Sequence, residues 1–515
     1  MTLTEWFIFF LIVQVVHFAG TWKLYEAAGR KRWEAAVPVY NAIVLMKIIN
    51  RPPWWTILLF IPIINLIMFP VVWVETLRSF GKTSTTDTWL GILTFGFYIY
   101  YVNYTQPLNH ITDRSLIPRT KTGDTISSLL FAIVVATLVH TYFMQPFTIP
   151  TSSLEKSLLV GDFLFVSKFH YGARTPMTAV AAPMVHDTIP ILNVKSYSKW
   201  PQLPYFRFPG MQEIKNNDIV VFNWPADTVR QFFKAEKGVV KPIDKKSNYV
   251  KRCVGIPGDS LSIVDGEVYI NGKKLILPPR AKPQLSYLVT FDGKTPIDLP
   301  HVLSELDITD GGGYRQDTGD TLIISAMTDE AAARLRNIPG VTLVKKNLSK
   351  KPEGNIWGNT SWNGDNFGPI YIPQAGKTVA LNIETLPFYK KIIVEYEHND
   401  LKVTGNEIRI NGAPASSYTF KQNYYWMMGD NRHRSEDSRY WGYVPENHVV
   451  GKPVFIWMSW DSNGKGLNKV RWDRVFTTVS GDGERTSYLV YFVGLLIAYF
   501  AFDAYRKKKK AKEEI

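Results

Sequence analysis

The chain carries a single cysteine, Cys253, among 515 residues. No intramolecular disulfide can form, so a domain outside the cytoplasm must hold through its own core. Cys253 lies in an apolar, strand-like run and reads as a core residue rather than a nucleophile. The nine histidines are scattered and none form a zinc pair at helical spacing, so neither a metal site nor a cofactor is expected. Gly81-Lys82-Thr83, Gly293-Lys294-Thr295 and Gly376-Lys377-Thr378 mimic the end of a phosphate loop. Thr76, Leu288 and Tyr371 stand where its first glycine is required, which excludes that loop. The first five residues contain no Lys or Arg. The basic region of a cleaved secretory signal is therefore missing, and the first apolar run is expected to be retained. The net charge is +14, without an RNA-binding aromatic signature or zinc-finger spacing. The basic residues gather beside apolar runs, which points to the cytoplasmic face of a membrane and not to nucleic acid.

Five apolar runs approach the roughly 20 residues that cross a bilayer as a helix. They are Thr4–Trp22, Trp55–Val74, Trp89–Tyr104, Ile126–Gln145 and Tyr488–Ala504, with Trp and Tyr at several ends as interfacial anchors. Lys23, Arg30, Lys31, Arg32, Lys47 and Arg51 lie between the first two runs. Arg114, Arg119 and Lys121 lie between the third and fourth, and Arg506–Lys510 with Lys512 follow the fifth. The loop between the second and third holds only Arg78 and Lys82. The positive-inside rule then puts the N-terminus outside, the long stretch from Pro146 to about Arg485 outside, and the C-terminus inside. Ala36–Ile49 is apolar over only 14 residues, with Lys47 inside it. That length favours an interfacial or re-entrant helix. If it did span, the N-terminus would move to the cytoplasm and the last two spans would be unaffected.

From Leu158 onward the pattern turns to strands, with β-branched and aromatic runs such as Leu159–Val166 and Asp218–Phe222 beside turn residues. Asp265–Gly272 and Asn406–Gly412 each end in Asn-Gly, the signal of a tight hairpin. Between these two hairpins, Ser286–Phe291, Thr321–Ala326 and Val341–Lys345 read as strands, and Leu299–Leu306 and Thr328–Asn337 as helices. Thr328 before Asp329-Glu330 is the expected N-cap of the second helix. Pro176–Pro209, rich in proline and polar turns, is expected to be a surface excursion.

Three segments carry chemistry in one order along the chain. Ile149-Pro150-Thr151-Ser152-Ser153-Leu154 follows the fourth apolar run and resembles the nucleophile box of type I signal peptidases. Tyr249–Asp259, containing Lys251, resembles their lysine box. Gly429–Pro445 resembles their Gly-Asp-Asn-Arg…Ser-x-Asp-Ser-Arg box almost position for position. The resemblance covers roughly Pro146 to Ser459, with insertions, and leaves out the first three runs. It implies Ser153 as nucleophile, Lys251 as general base and Thr151 as an oxyanion donor. It further implies Ser435 as a hydrogen-bond partner of the lysine, and Asp437 and Arg439 as a supporting ion pair. One segment departs from the family: Leu154-Glu155-Lys156-Ser157-Leu158 stands where Met and then Pro-Thr-Leu are usual, and Lys156 brings a rival amine near Ser153. Trp362–Pro369 echoes the third box without its Ser, Asp and Arg and is expected to be a turn. His433 is expected at the surface.

The residues suit that chemistry. A serine hydroxyl needs a base to become a nucleophile. Lysine serves only when neutral, with its pKa brought down from about 10.4 by burial. Val250, Val254 and Ile256 can supply the apolar surroundings, and Arg252 can add repulsion. The expected fold is a membrane-anchored, mainly-β catalytic domain of the signal-peptidase type, with a small α+β insertion and about five transmembrane helices. In residues this gives 1–105 as a membrane region with three spans, 106–125 as a cytoplasmic loop and 126–145 as an anchor. The first part of the core follows at 146–280, an inserted α+β subdomain at 281–400 and the second part of the core at 401–485. A C-terminal transmembrane helix at 486–505 and a basic cytoplasmic tail at 506–515 complete the chain. The partners implied are preproteins bearing signal peptides, the lipid bilayer of the inner (plasma) membrane and the export translocon. A silent membrane scaffold and a self-cleaving Ser/Lys regulator compete with this reading. The three intact boxes weigh against the first, and the exported domain with its C-terminal anchor against the second.

Overall fold

The structure is a computed structural model that describes residues 1–513 apart from 119, 229–237, 310–312, 315–320, 352, 353, 355, 357, 358 and 360. Arg119, used above for orientation, lies outside the described residues, as do the side chains of Lys510 and Lys512. The chain forms two compact units. One comprises Met1–Met144, Ala173–Pro209 and Thr228–Lys246; the other comprises Gln145–Gly172, Gly210–Asp227 and Ser247–Ile515.

The first unit opens with α1 (Leu3–Ala27), started by a capping box in which Glu5 N donates to Thr2 Oγ1 (3.2 Å) and Thr2 N to Glu5 Oε2 (2.8 Å). The helices that follow are α2 (Tyr40–Ile48), α3 (Trp55–Leu58), α4 (Ile64–Ser79), α5 (Thr85–Leu93), α6 (Tyr98–Thr105) and α7 (Lys121–Leu138). Among the described residues, three helices are long and apolar enough to cross a membrane: Leu3–Ala27, Lys121–Phe143 and Leu489–Lys509, the last being α8 (Leu489–Glu513). About five were expected, and the two further runs are each broken into shorter helices. Trp55–Val74 breaks between α3 and α4, where Pro62 removes a backbone donor and Ile63 takes a φ of 71°. Trp89–Tyr104 breaks between α5 and α6, where Phe95 and Gly96 have φ of 53° and 83°. A Cβ at Gly96 would come within 2.7 Å of the Trp73 indole, so only glycine fits this turn.

Both broken runs return to the end of the bundle they left. Glu75, at the far end of α4, takes Arg51 at 2.9 Å and Arg114 at 2.6 Å, and Lys82 Nζ donates to Gln106 Oε1 at 3.0 Å across the ends of α5 and α6. Helices of nine and eight residues reach only about 13 Å each, less than half of a bilayer core. The loop with Arg78 and Lys82, expected opposite Arg51 and Arg114, therefore lies with them. The apolar run Ala36–Ile49 contains α2, of nine residues. Its Asn41 meets α1 partway along, donating to Gln14 (2.8 Å) and accepting from Tyr25 OH (2.6 Å).

The second unit is built on an antiparallel sheet. Its strands are β1 (Met144–Thr148), β2 (Asp162–Ser167), β3 (Ile219–Asn223), β4 (Asn248–Gly255), β5 (Tyr424–Met428), β6 (Val444–Pro445), β7 (Val449–Ser459) and β8 (Thr477–Thr478). The order is β1-β2-β7-β3-β4-β5-β6, with β8 beside β7. All five residues of β3 are buried, which explains a run of β-branched and aromatic side chains without alternation. The register sets Lys251 of β4 opposite Val220 of β3. Asn271-Gly272 and Asn411-Gly412 adopt positive φ at both positions and close tight hairpins. Between them, strands Leu285–Phe291, Thr321–Met327, Val341–Lys346 and Gly313–Tyr314 form a separate sheet with helices Leu299–Glu305 and Asp329–Leu335. Thr328 Oγ1 caps the second helix by accepting from Ala331 N at 3.2 Å. The unit is a mainly-β domain with an α+β portion.

Candidate active site

Past β1 the chain runs extended through Thr151 into a 3-10 turn, Ser152–Leu154. Ile149, Leu154 and Leu158 anchor this turn in a core shared with Leu164, Val166 and Ile219. Leu158 N closes it on Leu154 O at 2.7 Å. The third box braces the other side, since Asn431 donates to Ser153 O from its backbone (3.1 Å) and to Ser152 O from Nδ2 (3.2 Å). Gly429 makes this approach possible. A Cβ there would lie 2.5 Å from Ser153 O and 2.3 Å from Ser435 Oγ.

Lys251 is 4% exposed. Its Nζ lies 2.5 Å from Ser153 Oγ and 5.4 Å from the Tyr249 ring centroid. Burial lowers its pKa to about 8. Arg439 lowers it too, while Asp437, Glu436 and Asp430 pull the other way. The amine is thereby tuned toward the neutral form near physiological pH, and a neutral amine accepts the serine proton.

The repulsion expected from Arg252 is corrected. Neighbours on a strand face opposite ways, and Arg252 is held by Asp430 at 2.8 and 2.6 Å, with both side chains buried. Asp430 also accepts from Ser157 Oγ at 2.5 Å. The rival amine is accounted for as well: Lys156 takes a φ of 68° and pairs with Asp307 at 2.7 Å.

Asp437 and Arg439 form a buried pair at 2.8 Å. Asp437 accepts from Gly429 N at 3.0 Å, and Arg439 reaches Gly364 O at 3.1 Å. The expected bond from Lys251 to Ser435 is not formed. Ser435 is buried against Gly429, and its Oγ has no hydrogen-bond partner among the described residues, while the Lys251 amine lies against Ser153. Thr151 is exposed two residues before Ser153. His433 is half-buried and not a plain surface residue. Its Nδ1 accepts from Ser286 N (2.9 Å), so Nε2 carries the proton and faces Asp365 at 2.7 Å. The segment expected to be a simple turn, Trp362–Pro369, thus supplies two partners of the third box.

Sequence reading missed the Arg252–Asp430–Ser157 cluster and the bracing role of Asn431. The available signal was alternation along β4, which sends Lys251 and Arg252 to different partners.

A buried lysine against a serine hydroxyl is the arrangement of serine peptidases that use lysine where others use histidine. The sequence model of the family described as signal peptidase, peptidase S26, matches residues 122–309 and 375–460, more than half of the chain. The chain belongs to that family. A further model, for a family of unknown function (DUF5684), matches residues 33–112, the stretch that holds α2 to α6. The signal peptidase I of Buchnera aphidicola subsp. Schizaphis graminum is 26% identical over 401 residues, covering 75% of this chain and 93% of the relative. That of Helicobacter pylori (strain ATCC 700392 / 26695) is 25% identical over 369 residues, covering 69% and 92%. That of Haemophilus influenzae is 24% identical over 375 residues, covering 70% and 77%.

Proposed function

We propose that the protein is a membrane-bound serine endopeptidase that removes N-terminal signal peptides from exported preproteins. Ser153 is its nucleophile and Lys251 its general base. The observation that carries this reading is the 2.5 Å approach of a buried Lys251 Nζ to Ser153 Oγ. Neutral Lys251 takes the serine proton as Oγ attacks the scissile carbonyl. The Thr151 hydroxyl and the Ser153 backbone N–H serve the oxyanion. Loss of one such donor typically costs about a hundred- to a thousand-fold in rate. The Lys251 ammonium then protonates the departing amine, and the same amine activates the water that releases the acyl group. Asp437, Arg439 and Asn431 hold the third box against the nucleophile turn, and Ser435 stands beside it as a supporting hydroxyl.

The edge position of β1 in the sheet supports pairing of Pro146–Thr151 with an extended substrate. Family membership carries the expectation of small residues at the first and third positions before the cut. With α1, α7 and α8 as crossings, the N-terminus and the β unit lie outside and the C-terminus inside the plasma membrane. Dropping two runs leaves that orientation unchanged. The export translocon is a natural partner for an enzyme so placed. In this reading residues 281–400 are an insertion in a core formed by 146–280 and 401–485.

The test is cleavage of a reconstituted preprotein by the full chain. Ser153→Ala and Lys251→Ala are each expected to abolish it, and retained cleavage in either refutes the assignment.

A further inference from the structure

Residues 173–209 fold as a long irregular ribbon, with bridges pairing Arg174 with Arg207, Thr178 with Gln202, Ala181 with Tyr197 and Thr188 with Lys195. The ribbon belongs to the same compact unit as the membrane-length helices α1 and α7. Its base meets the end of α7, with the Phe208 and Tyr142 rings 6.1 Å apart. Its middle meets the start of α1, where Trp6 Nε1 donates to Gln202 O at 3.0 Å. Ala181 and Tyr197 are buried with Ile63, just before α4. The ribbon thus runs along one end of the bundle, opposite the end that holds Glu75, Arg51 and Arg114.

The tip of this ribbon inverts the usual rule for loops. Ile191 is 97% exposed, Leu192 66% and Val194 51%, and Trp200 nearby is 69% exposed. The turn is ordered by its own backbone: Ile189 N donates to Val194 O (2.9 Å), Leu192 N to Pro190 O (2.9 Å) and Asn193 N to Ile189 O (3.1 Å). Ile191 takes a φ of 74°. A β-branched residue rarely adopts the left-handed region, and doing so costs energy. That conformation here turns an aliphatic side chain outward. Large aliphatics on an ordered turn, flanked by Lys195, Lys199 and exposed aromatics, match the composition of segments that lie in the interface of a bilayer.

We propose that Ile191, Leu192 and Val194 form a lipid anchor, inserted into the headgroup–acyl boundary of the leaflet at the Trp6 end of the bundle. Continuity points to lipid as the occupant: the ribbon is tied to the ends of two helices long and apolar enough to cross a membrane, α1 at Trp6 and the Lys121–Phe143 helix at Tyr142, and its tip is apolar and exposed. The inference concerns the membrane unit and does not depend on the chemistry at Ser153.

The buried Cys253 leaves a silent background for labelling the full chain in liposomes. An environment-sensitive fluorophore goes on Ile191→Cys, or on Leu192→Cys as a second variant. Lys402→Cys, whose native side chain is 74% exposed, is the solvent control. Blue-shifted emission at 191 and 192, at least two-fold stronger quenching than at 402 by spin labels placed high on the acyl chain, and indifference to protein dilution are expected. Emission and quenching equal to the 402 control overturn the proposal. So does shielding that disappears when the protein is diluted in lipid, which would assign the tip to a second copy of the chain. Shielding that appears only when preprotein is added would assign it to substrate and would equally overturn the proposal.

Discussion

Lys251→Met removes the amine while keeping a side chain of similar length, and it separates catalysis from stability. The lysine is 4% exposed and its pKa is lowered from 10.5 to about 8 by burial and by Arg439. A shift of that size corresponds to roughly 3 kcal/mol at about 1.4 kcal/mol per unit. Its sign follows from linkage. Between about pH 8 and 10.5 the folded state binds fewer protons than the unfolded state, so stability rises with pH across that window. Below about pH 8 the full penalty is present, and above 10.5 it is gone. The methionine variant is therefore expected to be inactive yet more stable than the parent at pH 7, by up to roughly 3 kcal/mol. The difference should shrink as the pH approaches 10.5. The parent's activity should show the same group. Cleavage at low substrate should rise about tenfold per pH unit below pH 8 and level off above it. The assays are initial rates of preprotein cleavage from pH 6 to 9.5 and unfolding of both proteins in the same detergent. A rate that is flat down to pH 6, or a variant less stable than the parent at pH 7, would refute the reasoning.

Three further outcomes follow from single contacts. Gly429→Ala would place a Cβ 2.3 Å from Ser435 Oγ and 2.5 Å from Ser153 O. Displacing the nucleophile turn by that contact should cost about 100-fold in kcat, measured with folding checked by circular dichroism. Asp437→Asn leaves the 1% exposed Arg439 without its charge partner and should destabilise the β unit by about 3–5 kcal/mol, read as a lowered unfolding midpoint. Lys82→Cys, labelled in intact cells with a membrane-impermeant thiol reagent, should stay unmodified until the membrane is permeabilised. Prompt labelling would put that loop back outside.

What was legible in the sequence depended on how local the determining forces are. Asn271-Gly272, Asn411-Gly412 and the Thr328 cap were readable because turn and cap chemistry are written in two to four adjacent residues. Ser153 and Lys251 were readable as a pair only because three boxes occur in family order; their 2.5 Å approach joins positions far apart in the chain. Apolar length alone did not show that Trp55–Val74 and Trp89–Tyr104 each break into two shorter helices. Hydropathy registers that a run is lipid-compatible, whereas Pro62 and the Gly96 turn against Trp73 decide whether it continues. The loop with Arg78 and Lys82 shares the end of the bundle that holds Arg51 and Arg114 because each of these runs folds back on itself, which charge counting alone does not register. Arg252 was misjudged because adjacency in sequence was taken for proximity, when strand geometry sends it to Asp430.

The segment where this chain leaves its family is informative because the apolar anchors survive it. Leu154 and Leu158 are 2% and 0% exposed and hold the turn in the core, so the changed residues lie between fixed points. There Ser157 is drawn to Asp430 and to the backbone of Lys282, and Lys156 to Asp307 beyond helix Leu299–Glu305. These contacts tie the turn that carries Ser153 to the third box and to the α+β portion. His433 ties the third box to that same portion by accepting from Ser286 N, and Arg439 ties it through Gly364 to the segment that follows the portion. Residues that lock a turn from neighbouring elements hold its side chains in one geometry. The α+β portion therefore acts on Ser153 from two directions, through the turn that carries it and through the box that braces it.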